Sequence, residues 1–420
     1  MFQGAPAAAS DCREWTECRR LALDAAERKD YETFHDLAWR TVQLGPKDDP
    51  ALLFVLARAQ SLSGRPHDAL VMLRRLAPAG VAREAAASAE FERVRALAGW
   101  PEVEALLTSE GPGGREPEGP GARGAGGPGK VTKATAVKPD VTLNAFGAAE
   151  ALTFAAASFK PAALAYDAVS RRFIISDTDV SRLAVIDEFS HHLATLASGQ
   201  AAGFGTVTAL AIDPRAGDLW VASVDGSSGE DVPALHKLQL ISGRVLKKFP
   251  SESRSAGPFV DIAIAPDGTV YAVQQAGVVW RLPAGGGSLA PTHRITHSQF
   301  ASVTVSSQGA VYLADRESVM RFTPAPGAYV KAPDGADLSG LVRIRWSRGS
   351  LIGLQQTTGG SYRVIRMRLG RDGRSVTAVD VLDASVNTPN PAAATLAGDV
   401  FYYLAETSGA ELAIRRVVVK

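Results

Sequence analysis

The sequence predicts two modules of different class, a short antiparallel helical repeat array and a six-bladed β-propeller, joined by a Gly/Pro-rich linker. Three observations carry this. Apolar residues over the first ~108 positions recur at three- and four-residue steps. Residues 111–139 are dominated by glycine and proline. From about residue 141 the pattern switches to short alternating runs that repeat as a unit. The expected divisions are 1–10, a disordered start; 11–108, the helical array; 109–140, the linker; and 141–420, the propeller.

In the first region, Leu21, Ala25, Leu37, Ala38 and Val42 form one apolar series, and Leu53, Leu56, Ala57, Leu70, Leu73 and Leu76 another. Stop and start signals fall at Lys29-Asp30, Gly45-Pro46, Asp49-Pro50, Gly64-Arg65-Pro66, Pro78-Ala79-Gly80 and Gly99-Trp100-Pro101. Five to six helices of 10–15 residues are expected. Cys12 and Cys18 lie too far apart within one helix to be bridged. A disulfide therefore requires residue 12 to lie outside the helix, and two half-buried thiols are the favoured reading.

The linker has nothing apolar to bury, and its glycines do not hold every third place as collagen requires. Beyond it, Ala163-Leu-Ala-Tyr-Asp167 leads to Phe173–Asp177, Ala209–Asp213 to Leu219–Ser223, Asp261–Ala265 to Thr269–Val273, and Ser302–Ser306 to Ala310–Asp315. Weaker copies follow at Arg343–Trp346 and Ala394–Leu396. The aligned points 167, 213, 265, 306, 347 and 397 are 46, 52, 41, 41 and 50 apart. Six such units of four strands close into a ring better than they form a sandwich. The segment around Leu152–Phe159 is expected to supply one missing outer strand and clasp the ring.

Composition narrows the function classes. Lys plus Arg number 45 against 44 Asp plus Glu, which argues against nucleic-acid binding and against a polybasic membrane surface. No apolar run is long enough to span a bilayer. The start, Met-Phe-Gln-Gly-Ala-Pro, lacks a signal-peptide pattern, and its small residues resemble a mature exported N-terminus. A cytoplasmic start and a mature exported N-terminus both stay open, the reading leaning to export to the periplasm or cell envelope with the signal peptide absent from this chain.

Two resemblances add to this. The stretch from Leu56-Ala57 through Gly64 to Ala69 resembles the tetratricopeptide repeat, whereas the copy around Phe34 and Thr41 departs from it. Ala89–Leu107 resembles a degenerate capping helix pair. The units at Ile262–Ala272 and Val303–Ala314 resemble NHL repeats and, equally, the SMP-30/gluconolactonase/luciferin-regenerating family.

The lactonase branch of that family implies a divalent metal such as calcium, held in the funnel by a glutamate, two asparagines and an aspartate. This chain has only Asn144, Asn387 and Asn390, lacks the Pro-Asn-Gly-Ile stretch, and offers only Asp261 at a plausible inner-strand start. The polar residues expected at the propeller mouth are Asp261, Arg343 and Asn390, with no catalytic or metal-binding residue assigned. Arg343 and Arg345 share a strand face that either lines the funnel or forms a solvent-facing edge, and the edge is favoured. Trp220, Trp280 and Trp346 are read as blade packing.

His35 and His67 are expected on solvated helix faces. His191-His192 falls in a turn, and His293 with His297 in a loop or strand without a third metal ligand. No nucleophile elbow occurs, and the glycines at 124–129 are linker.

The function expected first is a non-catalytic interaction scaffold without cofactor, its helical repeats docking a protein or peptide partner and its propeller presenting a binding face. The alternative is a metal-dependent lactone hydrolase with a shifted metal site. A sensor part of a larger envelope assembly is a third reading. If the helical array instead packs on the propeller, the two should make a fixed contact.

Overall fold

The computed structural model describes residues 12–108, 149–155, 159–188, 193–213, 215–225, 232–251, 257–295, 299–315, 317–323, 327–407 and 411–419. The expected linker, His191-His192 and His297 lie outside them, as does the side chain of His293, whose backbone belongs to a strand.

Four helices open the chain: α1 (Trp15–Glu27), α2 (Tyr31–Leu44), α3 (Pro50–Leu62) and α4 (Pro66–Leu76). Their boundaries follow the local chemistry. Asp30 accepts from the Thr33 amide at the start of α2 (3.3 Å), and Asp49 accepts from those of Ala51 and Leu52 at the start of α3 (2.9 and 3.2 Å). Pro50 and Pro66 stand in the first turns of their helices, where a missing N–H costs nothing. Helix α3 is buried nearly all round, from Leu52 to Ser61, as befits the centre of the array.

The expected capping pair is shorter than a full helix hairpin. Ala77–Phe91 is mostly tight 3-10 turns, broken at Pro78 and at left-handed Gly80, and only Glu92–Arg95 (α5) and Trp100–Thr108 (α6) are helical. Cys12 precedes α1 and forms a disulfide with Cys18, Cα to Cα 5.3 Å. The favoured thiol reading is thereby corrected: the chain meets the condition that residue 12 stay outside the helix.

The rest is a ring of six four-stranded antiparallel sheets. Their inner strands are Pro161–Asp167, Thr206–Ile212, Phe259–Ile264, Ser302–Val305, Leu341–Ser347 and Ala394–Ala397, numbered here as blades 1 to 6. Ala149–Ala155 pairs with Glu411–Val418 as the outermost strand of blade 6, so the first strand of the propeller closes the ring with the last. Closure of this kind leaves few exposed edges. Trp220 and Trp280 are buried between blades, and Trp346 stacks on Tyr312 at 6.0 Å, as expected for packing residues.

The helical array is not a free module. It sits on the propeller face formed by the hairpins that follow the inner strands of blades 1 and 2. A single apolar cluster joins Trp39, Leu53 and Leu73 to Val169, Leu219 and Leu238. Arg65 reaches the buried carboxylate of Asp218 (3.0 Å), Arg75 donates to the Val169 carbonyl (2.7 Å), and Arg171 pairs with Asp48 (2.6 Å). Gly217, at φ +65°, lies under the Trp39 indole, where a Cβ would come within 2.5 Å of the ring. His35 is 1% exposed and ring-stacked with Trp39, which corrects the expected solvated position; His67 is exposed as expected.

Candidate functional site

Inner strands of a propeller begin on one face and run to the other. At the start of those of blades 3, 4 and 5 stand Asp261, Ser302 and Arg343, spaced by the 41-residue repeat. They meet at the centre of the ring. Asp261 is fully buried and accepts from Ser302 Oγ, from the Val303 amide (3.0 Å) and from both terminal nitrogens of Arg345 (2.8 and 3.0 Å). Arg343, 2% exposed, adds a third cationic nitrogen at 2.6 Å. Burial alone would push the Asp261 pKa up. The Arg343 and Arg345 charges, with the hydrogen bonds, outweigh it and hold the carboxyl well below the ordinary range. The solvent-edge reading of Arg343 and Arg345 is therefore corrected: the strand face they share is turned to the axis.

Arg343 also donates to the Ala392 carbonyl (2.6 Å), and the Ala392 amide donates to Asn390 Oδ1 (2.9 Å). Asn390 Nδ2 in turn donates to the Pro161 carbonyl (3.0 Å). The three residues expected at the mouth thus belong to one polar chain, Asp261–Arg343–Ala392–Asn390, which ties blades 3, 5 and 6 to blade 1. It is a brace, with Asp261 and Arg343 closed to solvent.

Those partners bear on the metal that the family resemblance implied. A divalent ion needs converging oxygen donors, and Asp261 faces two guanidiniums that leave the cluster net positive. The axial residues do not fit a metal, and among the described residues no three His, Cys, Asp or Glu side chains gather elsewhere to hold one.

An open cleft of about 680 Å³ lies beside the brace, on the face where inner strands begin. Lys160, Pro161 and Thr178 of blade 1 form one wall, and Glu406, Thr407 and Glu411 of blade 6 the other, with Asn390 lining it between them. The two glutamates flank the turn that joins adjacent strands of blade 6 and are both exposed, as is Lys160, which pairs with Asp179 at 2.9 Å. Glu406 accepts from Asn387 Nδ2 at 3.4 Å. Sequence reasoning assigned neither glutamate. The available signal was their place at the ends of the second and third strands of the last repeat.

Among solved structures, the chain is similar to a PQQ-bound aldose sugar dehydrogenase from Streptomyces coelicolor, at 14% identity and TM-score 0.43, covering 64% of this chain and 98% of that one. It is also similar to a gluconolactonase from Xanthomonas campestris (16%, 0.44, 72% and 99%). A luciferin-regenerating enzyme is matched as well (11%, 0.44, 64% and 95%). Likeness at this level extends to the ring architecture. No protein-family model matches the chain, and no curated protein does.

The first functional expectation, a non-catalytic scaffold, is corrected here. Part of the helical surface supposed free for a partner is occupied by the chain's own propeller.

Proposed function

We propose that the propeller is a hydrolase acting on a small, hydroxyl-rich ester or lactone in the cleft between blades 1 and 6. The observation that carries this is the pair of exposed carboxylates, Glu406 and Glu411, facing Lys160 and Thr178 across a cleft of about 680 Å³. That volume falls in the range of small-molecule sites. One carboxylate acts as general base toward water attacking the ester carbonyl. The Lys160 ammonium stabilises the oxygen on which charge develops. Asn390 and its brace hold the two walls in register, which is a positioning role. No step runs through a metal.

The helix pairs are read as tetratricopeptide-like, supported by left-handed Gly64 at the second turn and fully buried Ala69 where helices cross. The Cys12–Cys18 disulfide favours an oxidising compartment, consistent with export.

The test is turnover of a panel of sugar lactones and aryl esters by the full chain, with and without a chelator. Activity that survives chelation and falls by about 100-fold or more in at least one of Glu406→Gln and Glu411→Gln supports the reading. No turnover of any substrate, or turnover unchanged in both variants, overturns it.

A further inference from the structure

A second cleft, of about 760 Å³, lies on the opposite face, between the helical array and the propeller. Its helical wall carries Val42, Lys47 and Leu53, and its propeller wall carries Tyr166, Tyr402 and Arg416. The charges around it do not cancel. Arg171 bridges Asp48 (2.6 Å) and Glu188 (3.0 Å), and Arg348 is matched to Asp399 (2.8 Å). Lys47 and Arg416 have no ion-pair partner among the described residues.

Tyr402 sits directly across the strand pair from Arg416, so both project from the same side of blade 6. Its ring lies 4.9 Å from that of Tyr166 and only 6% of the residue is exposed, yet its hydroxyl makes no hydrogen bond with any described residue. Burial, with the Glu188 charge adding to it, pushes this phenol up to about 12, which keeps it a donor at neutral pH. The hydroxyl itself keeps contact with solvent in the cleft, so it stands there as a free donor on the same side of the sheet as Arg416.

We propose that this interdomain cleft binds a small organic acid, its carboxylate held by Arg416 and the Tyr402 hydroxyl, and its apolar body laid against Val42, Leu53 and the Tyr166 ring. Arg416 supplies the planar fork that matches a carboxylate, and Lys47 adds long-range attraction at the helical wall. Because the walls come from both modules, a bound acid also fastens the helical array to the propeller. This site is independent of the hydrolase reading and lies on the other face of the ring.

Binding of benzoate and of hexanoate to the full chain is measured by calorimetry at low salt, with benzyl alcohol and inorganic phosphate as comparison probes. At least one acid should bind better than either comparison probe. Arg416→Gln should weaken it by about tenfold or more, as loss of a charged hydrogen-bond partner implies, and Tyr402→Phe by less. Val418→Trp fills the cleft from a strand position that is 54% exposed, where the larger ring is compatible with folding; it should abolish binding at an unchanged melting temperature. The proposal is overturned if neither acid binds, if phosphate binds as well as the acids, or if binding persists unaltered in Arg416→Gln and Val418→Trp.

Discussion

Replacing Asp261 by asparagine keeps the shape of the side chain and removes the one negative charge that a buried guanidinium, Arg343, and a half-buried one, Arg345, share. The structure sets the scale. Asp261 is fully buried, Arg343 is 2% exposed, and the carboxylate takes bonds from Arg343, Arg345, Ser302 and the Val303 amide. Removing one partner from such a cluster leaves uncompensated charge inside the protein and costs roughly 3–5 kcal/mol. For a protein whose stability is typically 5–15 kcal/mol, that moves the propeller transition by roughly 10 °C. The carboxyl titrates well below the ordinary aspartate range in the folded state. Its stabilisation is therefore in full force above the unfolded value of about 3.9, declines as pH falls below that value, and is gone once pH has fallen through the lower folded value. Calorimetric melting at pH 7, 5 and 3 should show a constant gap between wild type and Asp261→Asn at the first two values and a narrower one at the third. The triple replacement Asp261→Leu, Arg343→Met, Arg345→Leu should recover most of the loss, because apolar side chains of similar volume replace buried ion clusters at little cost. A gap under about 1 kcal/mol at pH 7, or a triple variant no more stable than the single one, refutes the axial-brace argument.

Other consequences follow from the junction and the N-terminal staple. Gly217→Ala places a methyl group 2.5 Å from the Trp39 ring and should loosen the helical array, seen as a larger radius of gyration in solution scattering; an unchanged radius would contradict the docked arrangement. Asp68 is buried at the same junction, facing Ser242, Arg65, His35 and Arg172, and burial raises its pKa above the usual value. A raised carboxyl weakens the fold as pH climbs past the unfolded value, so Asp68→Asn should be more stable than wild type at pH 7 and lose that advantage near pH 4; destabilisation at pH 7 would count against this. Reducing the Cys12–Cys18 bridge opens a short loop and should cost the helical array about 2 kcal/mol, read as a lower denaturant midpoint in reductant.

The ring was legible because its information is local and repeated. Each inner hairpin alternates apolar residues and turns at a glycine or aspartate, as in Asp261–Val273, and the pattern recurs often enough to count blades and to expect a clasping outer strand around Leu152–Phe159, which the structure places a few residues earlier, at Ala149–Ala155, on the last blade. The helical start was legible wherever a cap carries it, at Asp30 and Asp49, and lost from Ala77 to Arg95, where alanine-rich sequence has no apolar period and the Ser88 cap opens only a short 3-10 turn. His35 was misplaced for a different reason. Helical spacing says which residues share its face, but only the arrival of the propeller beneath Trp39 makes that face an interior.

The axial residues show where the boundary runs. Strand alternation correctly put Arg343 and Arg345 on one side, yet it is silent about what that side meets, because the answer is a carboxylate more than 80 positions upstream. One signal was present. Asp261, Ser302 and Arg343 are each 41 residues apart, and that interval equals the local repeat. Residues separated by one repeat occupy the same height on neighbouring inner strands, and an acid, a hydroxyl and a base at one height around a narrow axis must either bind each other or carry unpaired charge into the core. Repeat spacing combined with charge thus identifies the ion pair without coordinates. The two clefts have no such signature: Glu406 and Lys160 come to line one cleft, and Arg416 and Lys47 the other, only after the ring has closed and the helices have docked.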